Sequence, residues 1–263
     1  MGKITFMDSE TPKAPLQPSA KAAERGEPSY VWRAGQERRL AMIRAAAGER
    51  VRGAVLENGC GVGMYLKRLS ADAAFAVGLE IELPRAREAA AQKLVVLNGA
   101  GESLPFPDGK FDLVLSHEVL EHVADDRRCL EEIVRVLKPG GRLALFVPNR
   151  GYPFETHGIY WKGKYHFGNK FGVNYLPRRW RDKLAPHVRV YSGKDLQKLM
   201  AGLPIRVVEK TVIFGAYDNI IARNKDFGKG LKNFFHWLEK TSLRELGLSQ
   251  FWVVEKDSGE KKR

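Results

Sequence analysis

Apolar residues along the chain gather into short runs separated by amphipathic stretches. AVLEN (54–58), FAVGLEI (75–81), LVVLN (94–98), FDLVLS (111–116) and RLALFVP (142–148) are runs of strand length, bounded by glycine, proline or polar residues. Ahead of them, YVWRAGQERRLAMIRAAAGER (30–50) places Val31, Ala34, Leu40, Ile43 and Ala46 at helical intervals among many arginines. GCGVG opens a helix through Tyr65 and Leu69, RAREAAAQ (85–92) forms a second, and 126–137 a third that stops at KPGG. Short strands alternating with helices predict a parallel α/β sheet, doubly wound, with right-handed crossovers and helices on both faces.

After Pro148 this rhythm breaks for about 45 residues. It resumes with a helix at DLQKLMAGL (195–203), a strand IRVVEKTVIF (205–214), the amphipathic stretch DFGKGLKNFFHWLEK (226–240) and a last strand QFWVVEK (250–256). Seven strands are therefore expected, with residues 149–190 inserted after the fifth. The insertion begins NRGYPFETHGIYWKGKYHFGNK, which has neither a helical nor a strand period. There is no internal repeat. Residues 1–28, rich in Pro, Ser, Lys and Glu and without an apolar signal segment, read as a flexible tail. Residues 29–256 form one domain, and 257–263 are a charged tail.

Composition changes this picture little; charge changes it more. No apolar run reaches the ~18–20 residues that span a bilayer, and two cysteines, Cys60 and Cys129, are too few for a disulfide framework, so a cytoplasmic location is expected. The net charge of +13 is uneven: residues 1–150 carry 22 basic against 20 acidic side chains, and 151–263 carry 22 against 11. The second part is expected to face something anionic: a substrate, a membrane surface or nucleic acid.

The chemistry begins at VLENGCGVG (55–63). Gly59, Gly61 and Gly63 permit a tight turn and close approach to a ligand at a helix N-terminus. Glu57 sits just before the turn, where it would repel a pyrophosphate and attract an ammonium group. Glu80 ends the second strand, where a carboxylate can accept from both hydroxyls of a ribose. A ligand with a cationic end, a ribose and no phosphate suits both acids.

LENGCGVG, GLEIE, GESLPFPDGKFDLVLSHEVLEHV and RVLKPGGRLALFVPN resemble, in order and spacing, the successive motifs of class I S-adenosylmethionine-dependent methyltransferases, in the broad group that includes quinone and other small-molecule methyltransferases. The resemblance covers about residues 51–149. It implies a Rossmann-like, mostly parallel seven-stranded sheet and S-adenosyl-L-methionine as cofactor. Glu57, Gly59, Cys60, Gly61 and Gly63 would hold the methionine moiety and Glu80 the ribose. Ile81 would lie on the adenine with Gly101 and Glu102 at its edge, and Ser116 and His117 would line the sulfonium side. One departure is Ala100, where the family often carries an Asp that binds the adenine amino group; one polar contact of ~1 kcal/mol is then lost.

Methyl transfer needs mainly alignment of a nucleophile with the methyl group. Candidate catalytic residues are His117 at the end of the fourth strand and His157, Tyr160 and His166 in the insertion, the expected acceptor lid. Its aromatic side chains would either wall off water or pack on the sheet, and Lys162, Lys164, Arg178, Arg179 and Arg181 would hold an acidic acceptor. Glu118, Glu121 and His122 (ExxEH) would share a helical face. Such a cluster with His157 could hold a divalent ion but reads first as a structural feature, and no metal is assigned. Phe227, Leu231, Phe234, Phe235 and Leu238 are expected to pack on the sheet, with a membrane-surface helix as the alternative. The expected function is O-methylation of a small anionic or lipid-like acceptor. RNA methylation, which lacks support from any RNA-binding module, and a non-catalytic cofactor-binding partner subunit are the alternatives.

Overall fold

The computed structural model describes residues 30–259, so the expected tail at 1–28 and most of that at 257–263 lie outside the described residues. Seven strands form one sheet: β1 (Ala54–Asn58), β2 (Phe75–Glu80), β3 (Val96–Asn98), β4 (Phe111–His117), β5 (Leu137–Pro148), β10 (Ile205–Ile213) and β11 (Ser249–Lys256). Their order is β3-β2-β1-β4-β5-β11-β10. β1 pairs in parallel with β2 and β4, and β11 inserts antiparallel between β5 and β10. The switch in strand order between β1 and β4 opens the crevice in which ligands of such sheets bind.

Residues alternate across this sheet with period two. On one face Leu56, Val114, Leu143, Leu145 and Trp252 pack with Leu130 and Ile133 of α4 (Asp126–Val136) and with Leu196 and Met200 of α6 (Gly193–Met200). On the other, Val55, Leu113, Leu115, Phe146 and Phe251 pack with Leu40, Ile43 and Ala47 of α1 (Ala34–Ala47). Both faces being covered explains why these strands read as continuous apolar runs.

Three local expectations change. The GCGVG helix is mostly turn: only Leu66–Leu69 (α2) is helical. β5 begins directly after α4, because Leu137 pairs with Phe111 and an irregularity between Phe111 and Leu113 absorbs the KPGG turn. The start of the insertion also contains short strands. β6 (Phe154–Glu155) pairs with β9 (Lys170–Phe171), and β7 (Ile159–Trp161) forms a hairpin with β8 (Lys164–His166). Pairs of two or three residues are too short to leave a period in sequence.

The insertion closes on itself, with Arg150 N–H donating to Tyr191 O at 3.0 Å and Tyr191 N–H to Pro148 O at 3.0 Å. Its centre is a buried ion pair. Arg181, on α5 (Arg178–Leu184), reaches Glu155 at 2.5 Å, and both side chains are 1% exposed. Arg181 therefore staples the insertion and is not available to an acceptor.

The amphipathic stretch forms α8 (Lys225–Leu238), after α7 (Asp218–Arg223). It packs Phe235 on Phe214 and Tyr217 while Phe227, Phe234 and Trp237 stay exposed, so the expected packing of the whole apolar set on the sheet is not observed. The remaining helix, α3 (Leu83–Ala91), links β2 to β3. No helix among the described residues is long and apolar enough to cross a membrane.

Candidate active site

A cavity of about 1130 Å³ lies over the C-terminal ends of β1, β2 and β4. Glu57, Gly59, Cys60, Gly61, Glu80, Ile81, Gly101, Glu102, His117 and His157 line it. Glu57 is buried and its Oε2 has no hydrogen-bond partner. Burial, followed by a backbone hydrogen bond that opposes it and by the nearby Glu80 charge, pushes its carboxyl well above the usual range. Such a group is stabilised by a cation. The Glu80 carboxylate accepts from Gly61 N–H and Glu82 N–H, both at 2.8 Å, which fixes its direction and leaves further lone pairs for a diol. Ile81 presents an apolar, half-exposed side chain for a planar base.

The three glycines do different work. Gly61 (φ +54°) has open space where a side chain would project, so ligand can approach the backbone. Gly63 (φ +84°) does not line the cavity; a Cβ there would strike Leu94, and its role is close packing of the turn on α3 and the segment after it. Ser116 also departs from expectation. Alternation along β4 puts it on the face of Val114, fully buried and away from the cavity, while His117 turns to the opposite face.

His117 packs between Tyr65 and Phe146, and its Nε2 lies 2.8 Å from an Arg39 nitrogen. A guanidinium only donates, so this Nε2 accepts and the ring is neutral. Burial and then the Arg39 charge hold its pKa down at about 3. His117 is thus a poor proton acceptor. Arg39 also donates to Ser249 Oγ at 3.0 Å, which donates to Glu118 Oε1 at 2.8 Å. Arg33, Arg38 and Arg39 of α1 and its N-cap, and Ile213 at the end of β10 with Phe214, Gly215 and Ala216 after it, complete the wall. Sequence reasoning missed them. The arginine density of α1 was the only hint, and nothing in it points toward the sheet ends.

Of the insertion, only Thr156 and His157 reach this cavity. Tyr160 instead lines a second cavity of about 1190 Å³, and His166 is exposed on the β7–β8 hairpin. Lys162 and Lys164 sit on the same hairpin; Arg179 stacks on Trp180; Arg178 lines the second cavity but pairs with Asp195. The expected cationic clamp does not assemble. The aromatic residues mostly pack on one another, as Tyr152, Phe154 and Phe171 do. The ExxEH run is turn rather than helix, with Glu118 at φ +55°, so its three side chains do not share a helical face. Glu118 faces Arg39, whereas Glu121 is buried toward the insertion.

This strand order, with one antiparallel strand near the edge and acids flanking a glycine turn, defines a Rossmann-like nucleoside-binding domain of the methyltransferase type. Residues 56–145 match the family described as "Methyltransferase domain". Over that stretch the chain is similar to class I S-adenosylmethionine-dependent methyltransferases, and S-adenosylmethionine is the cofactor that family and fold imply. The cavity fits it: an orphaned buried carboxylate for an ammonium, a fixed carboxylate for a ribose and an apolar platform for a base. The chain is 32% identical over 120 residues to a demethylmenaquinone methyltransferase of Clavibacter sepedonicus, covering 44% of this chain and 46% of that one. It is 32% identical over 141 residues to a malonyl-[acyl-carrier protein] O-methyltransferase of Pseudescherichia vulneris, covering 52% and 56%. The match thus spans about half the length of these two relatives. A solved S-adenosylmethionine-dependent methyltransferase from Mesorhizobium loti shares the fold at TM-score 0.58 and 18% identity, covering 82% of this chain and 96% of that one.

Proposed function

We propose that the protein transfers the methyl group of S-adenosylmethionine to an oxygen of a small, lipid-like acceptor. In this reading Glu57 takes the donor's ammonium, Glu80 its ribose hydroxyls and Ile81 its adenine. The observation that carries the proposal is the extent of the donor cavity. At about 1130 Å³ it exceeds the ~300–1,000 Å³ of a single-ligand site. Its outer half, between α1 and the chain from Ile213 to Ala216, sets apolar Ile213, Phe214 and Ala216 against Arg33, Arg38 and Arg39 and ends at Glu118 and His157. When bound, S-adenosylmethionine supplies an electrophilic methyl: an acceptor lone pair forms the O–C bond, the C–S pair stays on sulfur, and the acceptor proton leaves for solvent. The chain's part is to align the acceptor hydroxyl and to draw off its proton at that wall.

A lipid-like acceptor is supported by α8. Phe227, Phe234 and Trp237 are exposed on it together with Lys225 and Lys229, and the chain just before α7 lines the cavity. Names of the relatives, one acting on a quinone and one forming an O-methyl product, agree with an organic acceptor.

Calorimetry with S-adenosylhomocysteine should give one site per chain, weakened at least about tenfold by Glu57→Gln or Glu80→Ala, a loss of about 1.4 kcal/mol or more. With labelled donor, methyl should appear in solvent-extractable hydroquinones, phenols or fatty acids. Unchanged affinity in both variants would refute the donor assignment. Label recovered on RNA alone would refute the acceptor class.

A further inference from the structure

We propose that Glu121, His122 and His157 form a binding site for a divalent transition-metal ion, set in the wall where the acceptor hydroxyl is presented. This deepens the reading above and rests on it only for the site's role, not for the binding itself.

One ligand atom from each of the three side chains lies within 4.8 Å of the other two. An ion about 2.1 Å from each donor sets neighbouring donors roughly 3–3.4 Å apart, so the three side chains must draw together by about 1 Å. Two further features point to a ligand. First, the Glu121 carboxylate is 1% exposed and neither oxygen has a hydrogen-bond partner. A carboxyl stripped of water, with no partner within hydrogen-bond distance, is costly to ionise unless a cation compensates it. Second, both imidazoles are held by the nitrogen that a metal would not use. His157 Nδ1 lies 3.1 Å from Glu155 Oε1, and Glu155 is itself fixed by Arg181. His122 Nδ1 faces the His187 carbonyl at 3.4 Å. Each pinned Nδ1 leaves Nε2 as the free nitrogen, and His122 Nε2 is 4.0 Å from Glu121 Oε1. A carboxylate or carbonyl on the far nitrogen is the arrangement that orients metal-bound histidines.

Two imidazoles and one carboxylate suit Mn²⁺, Fe²⁺, Co²⁺ or Zn²⁺ better than Ca²⁺ or Mg²⁺, which prefer oxygen alone. Three protein ligands leave coordination positions open. His157 lines the donor cavity, Glu121 the second cavity and His122 both, so an ion here sits at their common wall. It would hold and acidify an acceptor hydroxyl there without a protein base, which fits the neutral, Arg39-bound His117.

The test uses the full chain, stripped with chelator and titrated with Mn²⁺ and Co²⁺ in the absence of any donor. One Mn²⁺ per chain should bind by electron paramagnetic resonance, and Co²⁺ should develop visible absorption bands. Glu121→Gln and His157→Ala should each weaken binding at least about tenfold, while His166→Ala on the exposed hairpin should not. S-adenosylhomocysteine calorimetry on the same samples checks folding and the donor site independently. If the wild type binds donor but takes up no more metal than Glu121→Gln, the metal site is refuted while the donor reading stands. Equal losses in His166→Ala would refute it as well, by showing adventitious surface binding.

Discussion

Replacing Arg181 by Met removes the guanidinium paired with the Glu155 carboxylate, which is 1% exposed. Burial pushes the Glu155 carboxyl up, but hydrogen bonds from His157 and the Arg181 charge overcome this and hold it at about 2 rather than 4.5. Each tenfold change in proton affinity is worth about 1.4 kcal/mol, so these partners stabilise the charged form by about 3 kcal/mol. Breaking a buried pair from one side typically costs ~3–5 kcal/mol. Because His157 supplies part of the first figure, the second sets the expected loss, and for a domain of this size it corresponds to a fall in Tm on the order of 10 °C. The Val188 and Ala185 carbonyls that Arg181 also serves would lose a donor.

The assay is urea unfolding followed by tryptophan fluorescence. Arg181→Met combined with Glu155→Gln removes both charges and should recover most of the loss. The sign of the pH dependence follows from the depressed carboxyl. Its folded pKa lies below the unfolded value, so its contribution is complete above about pH 4.5 and is lost as pH falls through 2. The wild-type advantage over the double variant should shrink across that window. S-adenosylhomocysteine affinity, which the proposal assigns to the ends of β1 and β2, should not change. A loss below about 1 kcal/mol in Arg181→Met, or an equal loss in the double variant, would show that the pair does not hold the insertion together.

Gly63→Ala should destabilise the chain by ~2–4 kcal/mol, combining a left-handed backbone with overpacking against Leu94; an effect under about 1 kcal/mol in urea unfolding would contradict the packing role. The ring resonances of His117 should stay flat from pH 8 to 5 in an NMR titration, since its pKa is held at about 3. An inflection near 6.5 would mean that Arg39 does not engage it. Phe234→Ser with Trp237→Ser should reduce co-sedimentation with anionic vesicles while leaving S-adenosylhomocysteine binding intact. Undiminished sedimentation would remove α8 from any lipid contact.

The sheet was legible because its strands are covered on both faces. Full burial writes continuous apolar runs into β1, β2, β4 and β5, and the acids and glycines around the crevice sit at fixed offsets from those strand ends. That local chemistry determined the fold class and the cofactor, and it brought most of the expected acids and glycines to the cavity. Strand alternation was legible too in principle, and it is what takes Ser116 away from the cavity.

The sequence by itself carried no sign of which parts of the insertion meet the sheet. Arg181 looked like an acceptor clamp and is an internal staple for Glu155, because only folding brings residues 26 apart into one dry space. His157 and His166 were equivalent candidates; one faces the cavity and the other solvent, because the β7–β8 hairpin carries His166 outward. Arg39 and the α1 wall, nearly 80 residues before His117, came from tertiary packing alone. Composition and spacing set the inner half of the cavity, since it is built from consecutive strand ends. The outer half is assembled from α1, the turn after β4, the insertion and the chain at the end of β10, and the folded chain alone decides what they present to one another.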